Sequence, residues 1–296
     1  MKKHSGNMYY RKKQLAGYLF AAPWLIGLVV FVLLPILITL FLSFTSYNLI
    51  NPPKWIGLIN YKIMFFLDPS FWKAIGNTFF YVFGSVFLKV LISLVFAVLL
   101  SKKMRGMGIL RTVYFLPVVL PAVPVMLLWM NMFNPKTGII NQILGFFHIE
   151  GPMWLSSPVW SKPAFIFMSL WGVGGIIVIF LAGLQDIPEY LYEAAELDGA
   201  SSIAKFWKIT VPLLAPVIVF NIVTGIVGAS QVFAESIVMT GGGPLESTTF
   251  VNLLIYLKAF KSGQMGYASA MAWFMFVLLV PITIGVFKAS KRWLDY

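Results

Sequence analysis

Apolar residues dominate the chain in runs of bilayer length, and the polar residues gather in the stretches between them. The runs cover about 17–44, 77–100, 112–132, 163–184, 213–239 and 267–287. Crossing a hydrocarbon core of about 30 Å takes about 20 helical residues, so each run is long enough. Inside lipid every backbone N–H and C=O must be satisfied within the segment, which leaves the helix for runs of this kind. The pattern predicts an all-α, polytopic membrane protein with six transmembrane helices. The first run is nearly twice the apolar length of a signal peptide, about 7–15 residues, and reads as a span. Pro35 predicts a kink in it, and Pro117, Pro121 and Pro124 free carbonyls in the third run. Gly172, Gly174 and Gly175 in the fourth predict close helix approach or a local distortion.

The polar connection 186–212 has a pattern of its own. Pro188 fits the start of a helix with Asp186 as a cap, and Glu189, Glu193 and Glu196 then fall on one face. Gly199 is placed to end that helix in a left-handed turn. Ser201 caps a second helix, along which Ile203, Phe206, Trp207 and Thr210 predict a mostly apolar stripe. Helix, glycine turn and helix, with a small exposed apolar face beside acidic groups, make a docking surface.

Composition and charge narrow the class. The chain is 59% hydrophobic and 11% charged, against about 25% charged residues in soluble domains. The net charge of +12 does not point to nucleic acid, because the basic residues flank apolar runs and form no aromatic-interleaved patch. With no cysteine, thiolate chemistry is excluded, and with only His4 and His148 a histidine metal centre is almost excluded. Most of the 22 basic residues lie at the N-terminus, in 101–111, in 186–212 and after 287. The positive-inside rule makes that side cytoplasmic, termini included. The basic N-terminus 1–16 then precedes a membrane domain, 17–296.

Glu193-Ala194-Ala195, Asp198-Gly199-Ala200, Ile209 and Pro212 resemble the EAA loop of the permease subunits of bacterial ABC importers. Gly57-Leu58-Ile59-Asn60-Tyr61 and Thr240-Gly241-Gly242-Gly243-Pro244 are similar to elements of the sugar-type subclass. The resemblance implies a type I ABC importer permease fold in a bacterial or archaeal cell membrane. It implies a second permease subunit, two ATPase subunits that hold ATP and Mg, an extracytoplasmic solute-binding protein and a saccharide substrate. It also implies that this chain binds no cofactor. Glu193, Ala194, Ala195, Asp198, Gly199, Ala200, Phe206 and Pro212 are its ATPase-coupling residues by the same resemblance.

Candidate chemistry is sparse, and no catalytic residue or metal ligand set is read. The glycine run 241–243 is not followed by the Gly-Lys-Ser/Thr of a phosphate loop and reads as a mobile turn. Trp55, Tyr61, Phe65 and Trp72 suit a membrane-interface layer. For a solute path, Lys89, Asn131, Trp171, Asn221, Gln231 and Glu235 offer an aromatic face, amides and charges within spans. The same residue types also serve helix packing. Other readings compatible with this pattern are an ABC permease for glycerol phosphodiesters or another polar solute, in which Lys89 meets an anionic group, and an ion-coupled secondary transporter. The latter usually shows an internal repeat, and none is found. A membrane transferase needs catalytic acids at the interface, and the acidic cluster 186–198 is accounted for by docking.

Overall fold

The computed structural model describes residues 4–101 and 107–294. Lys2 and Lys3 of the basic N-terminus and Lys102, Lys103 and Arg105 of the basic loop lie outside the described residues. Two compact units are present: Met1–Met64 with Lys258–Trp273, and Phe65–Leu257 with Phe274–Tyr296.

In the first unit, α1 (His4–Leu28) passes through a wide turn, Val29–Leu33, into α2 (Leu34–Ser43). The N–H of Leu34 bonds to Val29 O, five residues back. This widening sits just ahead of Pro35, which has no N–H and whose ring crowds the carbonyl four residues earlier. The expected effect of Pro35 is taken up in that turn. After α2, β1 (Thr45–Ser46) pairs antiparallel with β2 (Lys54–Trp55). The sequence motif at 57–61 explains what holds them. Asn60, near the start of α3 (Ile59–Phe66), is buried, and its amide donates to Ser43 O at 2.8 Å and Thr45 O at 2.9 Å. These are carbonyls that the end of α2 leaves without helical partners. The Tyr61 hydroxyl donates to Ser43 Oγ at 2.9 Å, and Phe44 stacks on Trp55 with ring centroids 5.5 Å apart. Tyr61, expected in an interface layer, is thus an internal staple. A Cβ on Gly266 would lie 2.0 Å from Thr45 O, so only glycine fits there.

The second unit is built on α4 (Pro69–Leu100), which starts eight residues before the apolar run. Asp68 caps it by accepting the Ser70 N–H at 3.1 Å, with Pro69 in the first turn. In order follow α5 (Met107–Val119), α6 (Ala122–Met132), α7 (Ile139–Phe146), α8 (Ser161–Ser169) and α9 (Gly174–Gln185). Then come α10 (Glu189–Leu197), α11 (Ser202–Lys205), α12 (Val211–Leu213), α13 (Ala215–Ala229), α14 (Ala234–Met239) and α15 (Val251–Tyr256). The last helix, α16 (Met265–Leu294), gives its residues after Trp273 to this unit. The inner face of α4 packs against α8, α9, α13 and α15.

Three apolar runs form helices long enough to cross a membrane, Gly17–Ser43, Pro69–Leu100 and Met265–Ser290. The others are bent: α5 to α6 by 100°, α8 to α9 by 50°, and the 202–213 segment to α13 by 65°. Each bent pair taken as one span brings the number to six. The sharpest bend has a sequence cause, since Pro121 stands extended (φ −60°, ψ 137°) before α6 and cannot continue α5. In the glycine cluster, Gly174 is the close contact: a Cβ there would meet Tyr114 O at 2.2 Å, while Gly172 and Gly175 have open space. The fifth run is broken a second time, at 230–233, between α13 and α14.

Replacing Asn60 by Ala leaves two buried carbonyls without their donor and should lower stability by about 2 kcal/mol. Thermal unfolding of the detergent-solubilised variant checks this, and an unchanged midpoint would remove the staple role.

Candidate coupling surface and solute path

Segment 186–212 folds as a helix pair. α10 starts at Glu189, and the preceding Pro188 is extended (φ −62°, ψ 130°) with no side-chain cap. The expected capping by Asp186 is not made, because Asp186 closes α9 instead. At the other end of α10, Gly199 has φ +76°, its N–H bonds Glu196 O at 3.0 Å, and Ala200 N–H bonds Ala195 O at 2.9 Å. This paired pattern satisfies two carbonyls that the helix end would otherwise expose. A Cβ on Gly199 would meet nothing within 4 Å, so backbone conformation alone calls for glycine. Ser201 caps α11 by accepting the Ala204 N–H at 3.2 Å. A wide turn, Phe206–Thr210, then precedes Pro212, with Val211 N–H bonded five residues back to Phe206 O. It is the arrangement already seen ahead of Pro35.

Two contacts fasten the pair. The Tyr192 and Thr210 hydroxyls bond at 2.9 Å, and the Lys205 ammonium bonds the Glu196 carboxylate. The expected stripe of Ile203, Phe206, Trp207 and Thr210 is split by the turn. Phe206 packs inward with Leu191, Tyr192 and Ile209 on a core of Leu94, Ala97, Ile177, Phe180 and Leu214, and Thr210 is buried. Ile203 (73% exposed) and Trp207 (64%) stay outside and are joined by Leu197 (91%). Glu193, Ala194, Asp198 and Gly199 are exposed beside them, while Ala195, Ala200 and Pro212 are partly buried. Behind the pair, the ends of α4 and α9 border an open cleft of about 480 Å³.

The solute-path candidates separate into groups. Asn131 is exposed on α6 and donates to Leu127 O of its own helix at 3.0 Å. Trp171 is half exposed, with its ring edge-on to Trp129 at 6.0 Å. Gln231 is exposed in the break after α13, and Glu235 is half-buried in the first turn of α14. The packing of α14 on α6 and the Trp129–Trp171 contact draw these four to one region. Lys89 is half-buried on α4. Asn221 differs: it is buried and bonded to Val217 O at 2.8 Å within α13, a packing arrangement.

The 240–249 turn, expected to be mobile, is a bonded knot. Asn77 of α4 donates to Glu246 O at 2.8 Å and Thr249 O at 3.1 Å, and Lys162 donates to Asn77 Oδ1 at 2.9 Å. Ser70 donates to Glu246 Oε1 at 2.9 Å, and Thr249 Oγ1 to Gly242 O at 3.0 Å. The sequence hid this because its partners lie some 170 positions away.

Bent membrane helices with a polar helix pair packed on their core have a counterpart of known structure. A bacterial ABC transporter that imports the acidic polysaccharide alginate has a chain of this fold, with TM-score 0.82 over 97% of this chain and 99% of that one at 23% identity. Residues 89–295 match the family described as binding-protein-dependent transport system inner membrane component, and the chain belongs to it. The probable ABC transporter permease protein YesP of Bacillus subtilis (strain 168) is 41% identical over 97% of this chain and 94% of its own length. The trehalose/maltose transport system permease protein MalF of Thermococcus litoralis (strain ATCC 51850 / DSM 5473 / JCM 8560 / NS-C) is 33% identical over 97% of each. The protein is a multi-pass membrane transport subunit of a binding-protein-dependent importer.

Gly199→Ala should weaken the α10 end by about 1 kcal/mol, the cost of a left-handed turn for a residue with a Cβ. Amide hydrogen exchange at Ala200 reads this, and an unchanged rate would show that the turn does not depend on glycine.

Proposed function

We propose that this chain is one of two membrane subunits of an ATP-driven importer for a saccharide, and that segment 189–212 couples it to the ATPase. The observation that carries this reading is the exposed trio Leu197, Ile203 and Trp207 on a doubly fastened helix pair, rimmed by Glu193 and Asp198. Outside the bilayer, apolar side chains this exposed gain by burial in a partner, and an aromatic anchor with a polar rim is the usual form of a binding centre. The matching surface is an apolar cleft with basic groups at its edge. Lys205, Lys208 and Lys288 share the side of this segment, and the excess of basic residues there makes that side cytoplasmic, where an ATPase subunit stands. ATP and Mg are held by the partner ATPases, and this chain performs no chemistry of its own.

Because Phe206, Leu191 and Ile209 seat the pair on the same core as Leu94 and Ala97 of α4, a push on the outer face is delivered to α4 and α9. The bent spans then alternate access, with Asn131, Trp171 and Gln231 presenting the ring face and amides that suit a saccharide. The saccharide assignment is supported by the relatives named for trehalose and maltose and for other sugars. A second permease subunit completes the path, and an extracytoplasmic binding protein delivers the solute.

The test is ATP hydrolysis by the co-purified complex, reconstituted with its binding protein and a saccharide panel. One saccharide class should stimulate it, and stimulation by none would overturn the substrate assignment. Gly199→Pro, whose φ near −65° is incompatible with +76°, should insert normally yet lose stimulated hydrolysis. Trp207→Ser should reduce it by about tenfold or more, as for an interface anchor worth about 2 kcal/mol. Normal transport by both variants would remove the coupling role.

A further inference from the structure

Between the bent spans α5–α6 and α8–α9 the chain forms α7, and its fastenings place it at the ends of both. Gly138 stands just before it, and a Cβ there would lie 2.3 Å from Met132 O, at the end of α6. Asn141 donates to Pro135 O at 3.1 Å and Pro152 O at 3.3 Å, and accepts the Trp154 indole N–H at 2.6 Å. The Trp154 ring lies 5.6 Å from Phe133, which closes α6, and 5.4 Å from Trp160, which precedes α8. α7 therefore sits where one span ends and the next begins, among aromatic rings of the kind that marks the membrane–water boundary. It finishes in a bonded turn: His148 has φ +58°, and the Ile149 N–H bonds to Leu144 O at 2.9 Å.

At 3.6 residues per turn the circumference of α7 divides into three sectors. Ile140, Asn141 and Leu144 are partly buried, and Ile140 packs on the cluster of Trp129 and Phe133. Gln142 and Gly145 form an exposed polar side. On the third side Ile139, Ile143 and Phe146 stand at i, i+4 and i+7, with Phe147 just beyond. All four are exposed, Phe146 at 80% and Phe147 at 65%. This stripe holds no ionisable or hydrogen-bonding side chain. The nearest charges along the chain, Lys136 and Glu150, lie beyond the two ends of the helix.

Protein, water and an apolar phase on three sides is the environment of a helix lying flat at a bilayer surface. Such a helix sinks its apolar side about 5–10 Å into the boundary between headgroups and acyl chains. A docking centre for a water-soluble partner has a polar rim around its apolar core, and this stripe has polar groups on one flank only. The spans that α7 adjoins already end at that boundary, so their lipid-facing surface continues onto the stripe.

We propose that α7 is an interfacial helix whose stripe of Ile139, Ile143, Phe146 and Phe147 lies in lipid, at the end of the α8–α9 span opposite the coupling pair. Because Gly138 and Trp154 tie α7 to α6 and α8, the bilayer then sets the depth of these two span ends. The proposal is independent of which solute is carried.

The absence of cysteine from the chain allows a spin label at one chosen site. Ile143→Cys, Phe146→Cys and Gln142→Cys are labelled in the permease–ATPase complex, in nanodiscs of phosphatidylcholine and phosphatidylglycerol. Electron paramagnetic resonance then reads collisions with oxygen, which concentrates in lipid, against those with a water-soluble nickel chelate. The oxygen-to-nickel ratio should be severalfold higher at 143 and 146 than at 142, and unchanged when the binding protein is added. Ile143→Asp/Phe146→Asp should lower the ratio severalfold at a label on Ile139→Cys. If the label at 146 prevents assembly, Ile139→Cys in the otherwise native chain gives the same reading. Ready collision with nickel at all sites would place the stripe in water and overturn the proposal. Protection from both reagents at 143 and 146 would show that a protein covers the stripe, and overturn it as well.

Discussion

The second unit depends on one constraint, the close packing of the inner face of α4. In lipid the hydrophobic effect does not drive one apolar helix onto another, so association rests on fit and on polar contacts. The α4 face meets that demand with small residues at its tightest places: Ala74, Ser85, Ser93 and Ala97 are fully buried. Larger side chains close the two ends. Tyr81 enters a cluster with Trp129, Phe165 and Phe250, and Leu94 and Leu100 enter a second with Ile177, Phe180 and Leu214. The second cluster carries the polar helix pair, and the first carries the broken segment with Glu235. A single helix thus joins the candidate coupling surface to the broken segment.

The breaks in the other spans follow from satisfying the backbone. Ahead of Pro35 and of Pro212 the helix widens by one residue, and the N–H just before each proline bonds five residues back. At Pro121 no such widening occurs, and the chain turns through 100°. Irregular backbone inside a membrane is tolerated where it lies against protein or a water-filled space. The break at 230–233 and the bends of α5–α6 and α8–α9 are such places, and in the proposed importer they border the solute route.

Polar side chains in this protein work mainly on backbone. Asn60 closes the end of α2, Asn77 holds the 240–249 turn, and Ser201 begins the second helix of the 189–212 pair. The two buried amides substitute for water where water is scarce. The reward for a met carbonyl is modest, and the penalty for an unmet one is larger, which explains why single amides hold elements together here.

The sequence by itself determined the class, the all-helical membrane architecture and the position of the polar helix pair at 189–212. These depend on local quantities: run length, the flanking charge, a proline before a helix and a glycine after one. Gly199, Ser201 and the exposed Glu193 and Asp198 were legible for that reason. Tertiary structure alone decided which side of a helix faces outward and which distant groups meet. The outward trio of Leu197, Ile203 and Trp207 arises because a wide turn rotates Phe206 and Thr210 into the core, and a regular 3.6-residue period does not contain that rotation. The Asn77–Glu246 knot joins positions 169 residues apart in the chain, where spacing along the sequence carries no information about distance in space.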